Sequence, residues 1–558
     1  MKIIIIGGVA GGASAAARLR RLDESAEIIL IERGEYVSYA NCGLPYYIGG
    51  VITQKSALTL QTPESLHSRL NLDVRTRQEV IALQLDKKQV EIRDLQRNIV
   101  YTEAYDKLIL SPGAEPVRPA FPGIEDPRVF SLRTIPDAYR IDTFIRKSKP
   151  KRALIVGAGF IGLEMAENLS RMGIKVTVAE LSDHVIAALD ADMAADVHHY
   201  LKRKGVELLL KNGVKAIVPF ESGLHVLLDC GSVEVDMVLL SIGVRPESGL
   251  AKTAGLTVDE RDAIVVDKFM RTYDEDVYAI GDVVQNIQPI TGKTGHIPLA
   301  GPANKQGRIA ADHIAGKGRA YRGTQGTSIL KLFDMTIGAA GLNETAAKQE
   351  DIDYDKVYLL SSSHAGYYPN SEPISLKVLF TKDAGRIIGA QLVGFSGVDK
   401  RLDVLAAAIY TGMTADDLAE LELCYAPPFS SAKDPVNMVG FMIQNLLDCN
   451  VKQFHWQQIS NLLKDDVTLV DVRTPAEYTI GHINGAVNIP LDELRKRLGE
   501  IDKNKPQYIY CQSGHRSYLA SRILIENGFD VWHLAGGYRL YLSVVQEMNA
   551  VFGCDTCR

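Results

Sequence analysis

Runs of apolar residues, glycine turns and amphipathic stretches follow one another along the first half of the chain. The stretch KIIIIGGVAGGASAAARLRRL, residues 2–22, contains a continuous apolar run, a glycine turn and an alanine-rich segment. The next run, EIILIE at 27–32, is again apolar and ends in an acid. Continuous apolar runs of this length predict strands buried on both faces. The whole segment therefore predicts a βαβ unit.

The same arrangement recurs about 150 residues further on. RALIVGAGFIGLEMAENLSRMG at 152–173 leads into KVTVAE at 175–180, and TYDEDVYAIGDVV at 272–284 adds another strand and turn. We interpret the recurrence as a coarse internal duplication. It predicts two nucleotide-binding folds in one chain.

The pattern changes in the second half of the chain. From about residue 323 to 447, strand-like runs such as ISLKVLF and IIGAQLVG are followed by helical segments rich in alanine and leucine. The segment DCNVKQFHWQQ at 448–458 interrupts this pattern and marks a boundary. A separate small α/β unit is predicted to follow this boundary, from ISNLLKDD at 459 to about residue 551.

Bulk properties limit the classes of function. At about 150 residues per domain, 558 residues predict three or four domains. A net charge of -6 argues against nucleic acid as a partner, because phosphate binding favours a basic surface. No apolar run reaches the roughly 18 residues of a membrane span, and the short N-terminal run leads into glycines instead of a cleavage site. The scattered cysteines form no disulfide framework, so we expect a reducing cytoplasm.

A complete dinucleotide-binding motif lies in the second βαβ unit. Gly157, Gly159 and Gly162 form G-x-G-x-x-G between a strand and a helix. These glycines allow a tight turn, close approach of the backbone to pyrophosphate, and close packing of the helix. Glu180 ends the next strand, where it can accept hydrogen bonds from a ribose 2′-OH and would repel a 2′-phosphate. The sequence predicts NADH as the electron donor, with NADPH as the alternative.

The N-terminal unit carries a variant of this motif. Gly7 and Gly12 keep their positions, whereas Val9 replaces the middle glycine, and Glu32 is the predicted ribose partner. Asp282, directly after a strand and a glycine, is placed to bind a ribityl hydroxyl. These features predict a flavin site.

Together the two motifs resemble those of the flavoprotein disulfide reductases that bind two dinucleotides. The resemblance covers about residues 1–447 and includes the connecting segments LILSPGAEP and MVLLSIGVRP. It implies FAD at the N-terminal fold and NAD(P)H at the inserted fold. It also implies that Glu164, two residues after the third glycine, lies near the nicotinamide.

A lone cysteine follows the flavin-binding motif in SYANCGLPYY, residues 38–47. The dithiol members of this family use C-x-x-x-x-C, whereas this chain has Cys42 and Tyr47 at the two positions. An internal disulfide of that kind is excluded. Either a small substrate supplies the second sulfur as a mixed disulfide, or Cys42 cycles through sulfenic acid. An inert buried cysteine is the remaining alternative.

The stretch around Cys42 resembles the coenzyme A-disulfide reductases, whose single cysteine forms a mixed disulfide with coenzyme A. The peroxidase relatives carry a histidine where this chain has Ala10, so their acid/base group is absent. The resemblance implies a homodimer in which Tyr367 and Tyr425 approach the active cysteine of the other subunit and protonate or stabilise a thiolate. It implies coenzyme A contacts at Ser38, Asn41, Arg18, Arg21, Asn304 and Lys433.

The C-terminal unit carries a second candidate cysteine. QYIYC delivers Cys511 into the loop CQSGHR, and a helix is predicted to begin near Ser517. Such a loop points backbone N–H groups at the sulfur and favours an anion there, and Arg516 adds positive charge. The segment resembles the rhodanese domains, which carry sulfane sulfur as a cysteine persulfide. Asp471 and Arg473 match the structural D-x-R motif of these domains. The alternative, a protein-phosphatase loop, needs a cysteine–arginine gap one residue longer.

The predicted architecture is α/β, with two Rossmann-like dinucleotide-binding domains, an α+β dimerisation domain and a C-terminal rhodanese domain. A C-x-x-C tail follows, but two thiolates do not complete a zinc site, so no metal is predicted. The predicted ranges are 1–112 with 248–322 for FAD, 113–247 for NAD(H), 323–447 for dimerisation, 448–456 for a linker, 457–553 for the rhodanese domain and 554–558 for the tail.

The two sulfur sites predict an NADH-dependent flavoenzyme that reduces coenzyme A persulfide or polysulfide to hydrogen sulfide, and reduces coenzyme A disulfide. Cys42 would form the mixed disulfide and Cys511 would carry sulfane sulfur. The first alternative is a coenzyme A-disulfide reductase for thiol balance with an accessory sulfurtransferase. An NADH peroxidase or oxidase, and a sulfur-delivery protein with a regulatory flavin, are further alternatives.

Overall fold

The computed structural model describes residues 1–464 and 467–552, with side chains through Met548. The predicted C-x-x-C tail lies outside these residues. The chain forms two compact units. The first comprises Met1–Leu181 and Gly205–Gly326, and the second comprises Ser182–Lys204 and the chain from Thr327 onward.

The first unit begins with the strand–turn–helix–strand order that the hydrophobic pattern predicts. Short 3₁₀ turns at Asn41–Gly43, Lys55–Leu58 and Leu85–Lys87 connect some of the elements. Up to residue 181 the strands and helices are β1 (Lys2–Ile6), α1 (Ala10–Leu22), β2 (Glu27–Glu32), α2 (Leu44–Ile48), α3 (Pro63–Leu70), β3 (Asp73–Thr76), β4 (Gln78–Gln84), β5 (Gln89–Asp94), β6 (Ile99–Ala104), β7 (Lys107–Leu110), β8 (Ala114–Pro116), β9 (Val129–Ser131), α4 (Ile135–Ser148), β10 (Arg152–Val156), α5 (Phe160–Arg171) and β11 (Lys175–Ala179).

The next stretch passes once into the second unit, through α6 (Ala191–Arg203), and then returns to complete the first. A 3₁₀ turn at Gly281–Val283 contains Asp282, which is predicted to bind the ribityl chain of a flavin. The returning elements are β12 (Glu207–Leu209), β13 (Val214–Phe220), β14 (Gly223–Leu228), β15 (Ser232–Val235), β16 (Met237–Leu240), β17 (Val244–Pro246), α7 (Gly249–Thr253), β18 (Val277–Ala279), β19 (Asn286–Ile287), β20 (Thr294–Gly295) and α8 (Ala300–Ile314).

Two parallel five-stranded sheets organise the first unit. Their strand orders are β18-β7-β1-β2-β3 and β12-β11-β10-β16-β9. In each, the central strand is apolar and buried after a basic first residue and pairs with two others, as Ile4 does with Ile29 and Leu108. Burial on both faces explains why these strands lack an alternating pattern. Antiparallel sheets β4-β5-β6 and β13-β14-β15 are added beside them. Both predicted nucleotide-binding folds are present.

An antiparallel sheet, of order β21-β22-β25-β24-β23, forms the first half of the second unit. It contains the predicted strands ISLKVLF and IIGAQLVG as β24 and β25. The elements are β21 (Ser328–Leu332), β22 (Met335–Gly341), α9 (Glu344–Gln349), β23 (Tyr354–Ser362), β24 (Pro373–Thr381), β25 (Ile387–Gly394), α10 (Val398–Thr411), α11 (Ala415–Glu420) and α12 (Pro435–Leu447). Strands followed by helices give the predicted α+β arrangement.

The C-terminal half of the second unit is a parallel sheet of order β26-β30-β29-β27-β28. The predicted linker, 448–456, contains the edge strand of this sheet. 3₁₀ turns lie at Trp456–Gln458 and Leu498–Glu500. The elements are β26 (Lys452–Phe454), α13 (Ile459–Leu462), β27 (Thr468–Asp471), α14 (Pro475–Ile480), β28 (Val487–Asn488), α15 (Leu491–Leu494), β29 (Gln507–Tyr510), α16 (His515–Glu526), β30 (Val531–Leu534) and α17 (Gly537–Phe552).

Candidate active sites

The turn between β10 and α5 has the shape that a pyrophosphate requires. Gly157 adopts φ +98°, and a Cβ atom there would lie 2.3 Å from the carbonyl oxygen of Ser241. A Cβ atom on Gly162 would lie 2.2 Å from the Gly157 oxygen, so α5 packs directly on the turn. At Gly159 no atom lies within 4 Å of an added Cβ, which leaves the backbone open to a ligand. The turn therefore fits a dinucleotide at the start of α5.

Glu180, which directly follows the neighbouring strand β11, accepts a hydrogen bond from this turn. The backbone N–H of Ala158 donates to Glu180 Oε2 over 2.7 Å. The hydrogen bond fixes one carboxylate oxygen at the place predicted for the ribose partner. The first fold repeats the arrangement, because the N–H of Gly8 donates to Glu32 Oε2 over 2.9 Å.

The first fold keeps the tight turn although its middle glycine is missing. Gly7 adopts φ +96°, and a Cβ atom on it would lie 2.1 Å from the Ser111 oxygen. A Cβ atom on Gly12 would lie 1.9 Å from the Gly7 oxygen. Val9 is the N-cap of α1, where its backbone adopts φ -104° and needs no glycine. The residues that the turn strictly requires as glycine are thus retained.

Asp282, the residue predicted to bind the ribityl chain of a flavin, lies in a short 3₁₀ turn after β18. Burial is the largest influence on the Asp282 carboxyl, and it raises the pKa of this group. The preceding residue, Gly281, donates its N–H to Gln306 Oε1 over 2.7 Å, and Gln306 donates to Asn286 over 2.8 Å. This buried amide pair holds the turn against α8. The position of Asp282 in this turn is compatible with a hydrogen bond to the ribityl chain of a flavin.

Cys42 lies in the 3₁₀ turn directly before α2, and its thiol is free and exposed. Tyr47, at the position of the second cysteine in dithiol relatives, is buried, and its ring centroid lies 5.6 Å from that of Tyr139. Desolvation by the surrounding protein raises the pKa of Cys42, and the charges of Glu164 and Asp282 raise it further. The thiol therefore lies within electrostatic reach of both nucleotide-site carboxyls.

Glu164 faces the cysteine segment from helix α5. Its Oε1 accepts a hydrogen bond from the Tyr46 hydroxyl over 3.3 Å. Burial raises the pKa of Glu164 to about 7, and the Tyr46 hydrogen bond opposes this rise. A carboxyl with this pKa can hold or release a proton near neutral pH. Tyr46 was not among the predicted site residues.

The residues predicted to contact coenzyme A differ in their surroundings. Arg18 is paired with Asp312 over 2.6 Å, so its charge is already partly compensated. Arg21, Asn41 and Lys433 are exposed. Ser14 donates a hydrogen bond to the side chain of Asn304. Ser38 adopts φ +45°, which is uncommon for a residue with a side chain and marks a strained turn before the cysteine.

Tyr367 and Tyr425 lie side by side in the second unit. Their hydroxyl oxygens are 3.2 Å apart, and their side chains are 76% and 50% exposed. The hydrogen bond to Tyr425 raises the pKa of Tyr367. The pair therefore presents a protonated phenol at the surface. The structure brings together two residues that are 58 positions apart in the sequence.

Cys511 is buried at the base of its loop, behind β29. The N–H of Gly514 points at its Sγ over 3.1 Å, and Ser517 Oγ lies 3.5 Å from the same atom. Gly514 adopts φ +107°, which turns this N–H inward. A Cβ atom on Gly537 would lie 2.7 Å from the Cys511 oxygen, so the backbone of α17 supports the loop closely. The loop can stabilise negative charge on sulfur.

Asp471 and Arg473, the residues of the D-x-R motif, help to hold the Cys511 loop in place. Arg473 and Asp471 form a buried ion pair over 2.7 Å. Arg473 also donates to Gln512 Oε1 over 3.1 Å, which holds the second residue of the loop. Arg516, at the end of the loop, donates to both carboxylate oxygens of Glu477 over 2.6 and 2.7 Å. Glu477 was not predicted as a site residue.

Family models match nearly the whole chain. The pyridine nucleotide-disulphide oxidoreductase model matches residues 1–307, its dimerisation domain matches 327–435, and the rhodanese-like domain matches 455–543. The chain belongs to the pyridine nucleotide-disulphide oxidoreductase family. The predicted α/β fold class is confirmed, and a rhodanese domain extends this family member at its C-terminal end. FAD and NAD(P)H are the cofactors of the family.

Relatives within the family cover one or both parts of the chain. A coenzyme A disulfide reductase of Staphylococcus epidermidis is 36% identical over 445 residues, which are 79% of this chain and 100% of the relative. The reduced CoADR-RHD of Bacillus anthracis is 49% identical with a TM-score of 0.96, over 98% of both chains. A NAD-dependent persulfide reductase from A. fulgidus is 38% identical with a TM-score of 0.91, over 97% of this chain and 100% of the other.

Tyr46 and Glu477 were not predicted as site residues, because the sequence contains little indication of their partners. Tyr46 lies four residues after Cys42, one helical turn away, but nothing in the sequence places it against Glu164. Thr474 and Glu477 form a T-x-x-E capping box that could be recognised, whereas the arginine that Glu477 binds lies 39 residues away.

The part of the chain that the structure describes lacks two further features. Within residues 1–464 and 467–552, no group of three or more His, Cys, Asp or Glu side chains is arranged to hold a metal ion. None of the helices described is both long enough and apolar enough to cross a bilayer.

Proposed function

We propose that this family member uses NADH and FAD to reduce sulfur–sulfur bonds of coenzyme A persulfide and coenzyme A disulfide, through a mixed disulfide on Cys42. The observation that most directly supports this proposal is that Cys42 is a free, exposed cysteine. Tyr47 occupies the position of the second cysteine in the dithiol relatives. In disulfide chemistry, a thiol so placed takes its second sulfur from a substrate. The rhodanese domain favours a persulfide as one such substrate, since it handles sulfane sulfur.

The first step is attack of the Cys42 thiolate on the inner sulfur of the persulfide R–S–SH. The Cys42–S–S–R bond forms, the bond to the outer sulfur breaks, and HS⁻ leaves. Coenzyme A disulfide reacts in the same way, with a coenzyme A thiolate as the leaving group. Glu164, whose pKa is about 7, and Asp282 both oppose the thiolate charge. The ionisation of Glu164 therefore bears on the reactivity of Cys42.

Two electrons then reopen the mixed disulfide. FAD, when bound, would supply this two-electron chemistry, with NADH as the source of the electrons. The S–S bond breaks, R–S⁻ leaves and the Cys42 thiolate returns. The sum consumes R–S–SH and NADH and yields R–S⁻, HS⁻, NAD⁺ and one proton.

The tyrosine pair supports a homodimer as the working form. Tyr367 and Tyr425 belong to the domain that matches the dimerisation model, and their hydroxyls are exposed and joined. We assign them to the active site of the other subunit, where a phenol donates its proton to the leaving thiolate. A phenol is protonated at neutral pH, and the hydrogen bond to Tyr425 raises the pKa of Tyr367 further.

The residues for the two ligands follow from charge and position. We assign Glu180 to the ribose, where its carboxylate would repel the 2′-phosphate of NADPH, so NADH is the preferred donor. The coenzyme A phosphates would meet the exposed cations Arg21 and Lys433. Arg18 contributes less, because Asp312 already pairs with it. Ser38, Asn41 and Asn304 complete the proposed set.

Cys511 serves as a sulfur carrier in this scheme. Its buried loop, with the Gly514 N–H 3.1 Å from Sγ, supports a persulfide anion. The carrier collects sulfane sulfur and passes it to a thiol, which then reaches Cys42 as a persulfide. A coenzyme A-disulfide reductase with an accessory sulfurtransferase uses the same residues but releases no sulfide.

Replacement of each active cysteine tests the proposal. Cys42→Ser should abolish NADH-dependent release of sulfide from coenzyme A persulfide, and should abolish coenzyme A disulfide reduction. Cys511→Ser should spare disulfide reduction and remove sulfur transfer. Cys449→Ser, which removes another exposed free thiol, is the control for both. Sulfide release that survives Cys42→Ser contradicts the scheme, and disulfide reduction without any sulfide release favours the plain reductase.

A further inference from the structure

Glu477 is held in place from two sides at the rim of the Cys511 loop. Thr474 donates to Glu477 Oε2 from its N–H over 3.0 Å and from its hydroxyl over 2.9 Å. Arg516 reaches both oxygens, and these hydrogen bonds lower the pKa of Glu477 to about 2. The carboxylate is therefore charged at every physiological pH, and its position is fixed.

This pairing removes net positive charge from the loop. Arg516 is bound by Glu477, and Arg473, beneath the loop, is bound by Asp471. Each arginine next to the loop is thus matched by its own carboxylate. The neutral groups that remain near the sulfur include the Gly514 N–H, 3.1 Å from Sγ, the Ser517 hydroxyl at 3.5 Å, and the start of α16. These backbone groups carry only partial positive charges, so, among the described residues, no uncompensated arginine charge beside the loop offsets the second negative charge of a dianion.

Sulfane-sulfur donors differ in the charge that they bring to such a loop. A persulfide transfers sulfur as Cys511–S⁻ + R–S–SH → Cys511–S–SH + R–S⁻, in which one S–S bond forms and one breaks. Thiosulfate transfers it as Cys511–S⁻ + S–SO₃²⁻ → Cys511–S–S⁻ + SO₃²⁻, so a dianion must approach and a dianion must leave. A fixed carboxylate beside the loop penalises the second reaction more than the first.

We propose that Glu477 is a specificity-determining residue that restricts Cys511 to persulfide donors and disfavours thiosulfate. The inference rests on the proposed sulfur-transfer role of Cys511 and names the donor class for that site. It assigns to Arg516 a smaller part in donor binding than an unpaired arginine at that position would have.

The test compares two donors in the full-length holoenzyme with Glu477→Gln. The amide still accepts a hydrogen bond from Arg516 but no longer carries charge. Sulfur transfer to cyanide is measured with thiosulfate and with N-acetylcysteamine persulfide. We expect the ratio of kcat/KM for thiosulfate to that for the persulfide to rise about tenfold, mainly through a lower KM for thiosulfate. Glu477→Asp, which keeps the charge, should leave the ratio close to that of the parent.

A matched control removes an equal charge at a distance from the loop. Glu493→Gln breaks an exposed pair with Arg497 on the same domain and should leave the donor ratio unchanged. Higher ionic strength should raise the ratio in the parent chain and have less effect in Glu477→Gln, because salt screens the carboxylate. A role in structure alone would not produce this salt dependence.

Three results overturn parts of this account, and they can be distinguished. An equal loss of kcat/KM for both donors in Glu477→Gln, with Cys511 persulfide still detected by mass spectrometry, refutes the specificity role alone. An equal rise of the donor ratio in the Glu493→Gln control also refutes it. Absence of Cys511 persulfide in the parent chain with either donor refutes the sulfur-carrier function, and the inference with it.

Discussion

The Tyr46 hydroxyl lies 3.3 Å from Glu164 Oε1 and so joins the segment that carries Cys42 to helix α5 of the second nucleotide-binding fold. The two helices are closely packed beside this bond. A Cβ atom on Gly49 would lie 2.0 Å from Asn168 Oδ1, one helical turn beyond Glu164. The contact therefore links the site expected to hold the nicotinamide with the segment that carries Cys42, the proposed redox thiol.

This contact makes a prediction about pH. The Tyr46 hydrogen bond favours the charged form of Glu164 and so lowers its pKa, against the rise caused by burial. Tyr46→Phe should raise the pKa of Glu164 from about 7 by a further half to one unit, roughly the effect of one lost hydrogen bond to a carboxylate. We expect the midpoint of the pH profile for flavin reduction by NADH, measured in a single turnover, to move upward by that amount.

Two variants separate this effect from general damage. Tyr47→Phe removes the neighbouring hydroxyl, which packs on Tyr139 and not on Glu164, so the midpoint should stay where it is. Glu164→Gln should remove the titration altogether, and adding Tyr46→Phe to it should change nothing more. A midpoint that does not move in Tyr46→Phe would show that the hydroxyl does not control this carboxyl.

The parallel sheets were predictable because burial on both faces leaves a distinctive sequence signal. The run IIII at 3–6 and the glycine motifs report local backbone requirements that need no knowledge of distant residues. The relation between Glu180 and Ala158 was equally accessible, since it depends on adjacent parallel strands. Contacts that depend on how helices pack were not. Tyr46 with Glu164 and Glu477 with Arg516 join segments 118 and 39 residues apart, and neither has a local signal.

The glycines at 159 and 162 predict different effects on stability for the same substitution. An added Cβ at Gly159 meets nothing within 4 Å, so Gly159→Ala should fold normally but obstruct the pyrophosphate. We expect its KM for NADH to rise at least about tenfold, with an unchanged thermal midpoint. An added Cβ at Gly162 would lie 2.2 Å from the Gly157 oxygen, so Gly162→Ala should lower the thermal midpoint as well.

Gly249→Ala is the control for this pair, because an added Cβ there also meets nothing and the residue lies outside both motifs. It should leave both the KM for NADH and the thermal midpoint unaltered. If Gly159→Ala kept the parent KM for NADH, the open turn would not be the nucleotide site.

A buried lysine in the second unit predicts a large loss of stability. Lys377 is fully buried, and its Nζ lies 2.8 Å from both Asp190 and Asp192 and 2.6 Å from Glu344. Lys377→Met would leave these carboxylates without their central cation. Removing one partner of a buried ion pair costs about 3–5 kcal/mol of unfolding free energy. The denaturation midpoint should fall, as reported by Trp456 and Trp532, both of which lie in this unit.

The loss should depend on pH with a definite sign. The ion pairs lower the pKa of Glu344 to about 2, so their contribution is present above its ordinary value of 4.5 and is lost as the pH falls toward 2. In Lys377→Met, Asp190 and Asp192 lose their paired cation and favour protonation, whereas Glu344 keeps its pair with Lys356 over 2.6 Å. The deficit relative to the parent should therefore be largest near pH 7 and smaller near pH 5. Lys348→Met, which removes an exposed lysine 3.9 Å from the same Glu344, should cost little at either pH. An equal deficit in the two variants would mean that burial adds nothing to this cluster.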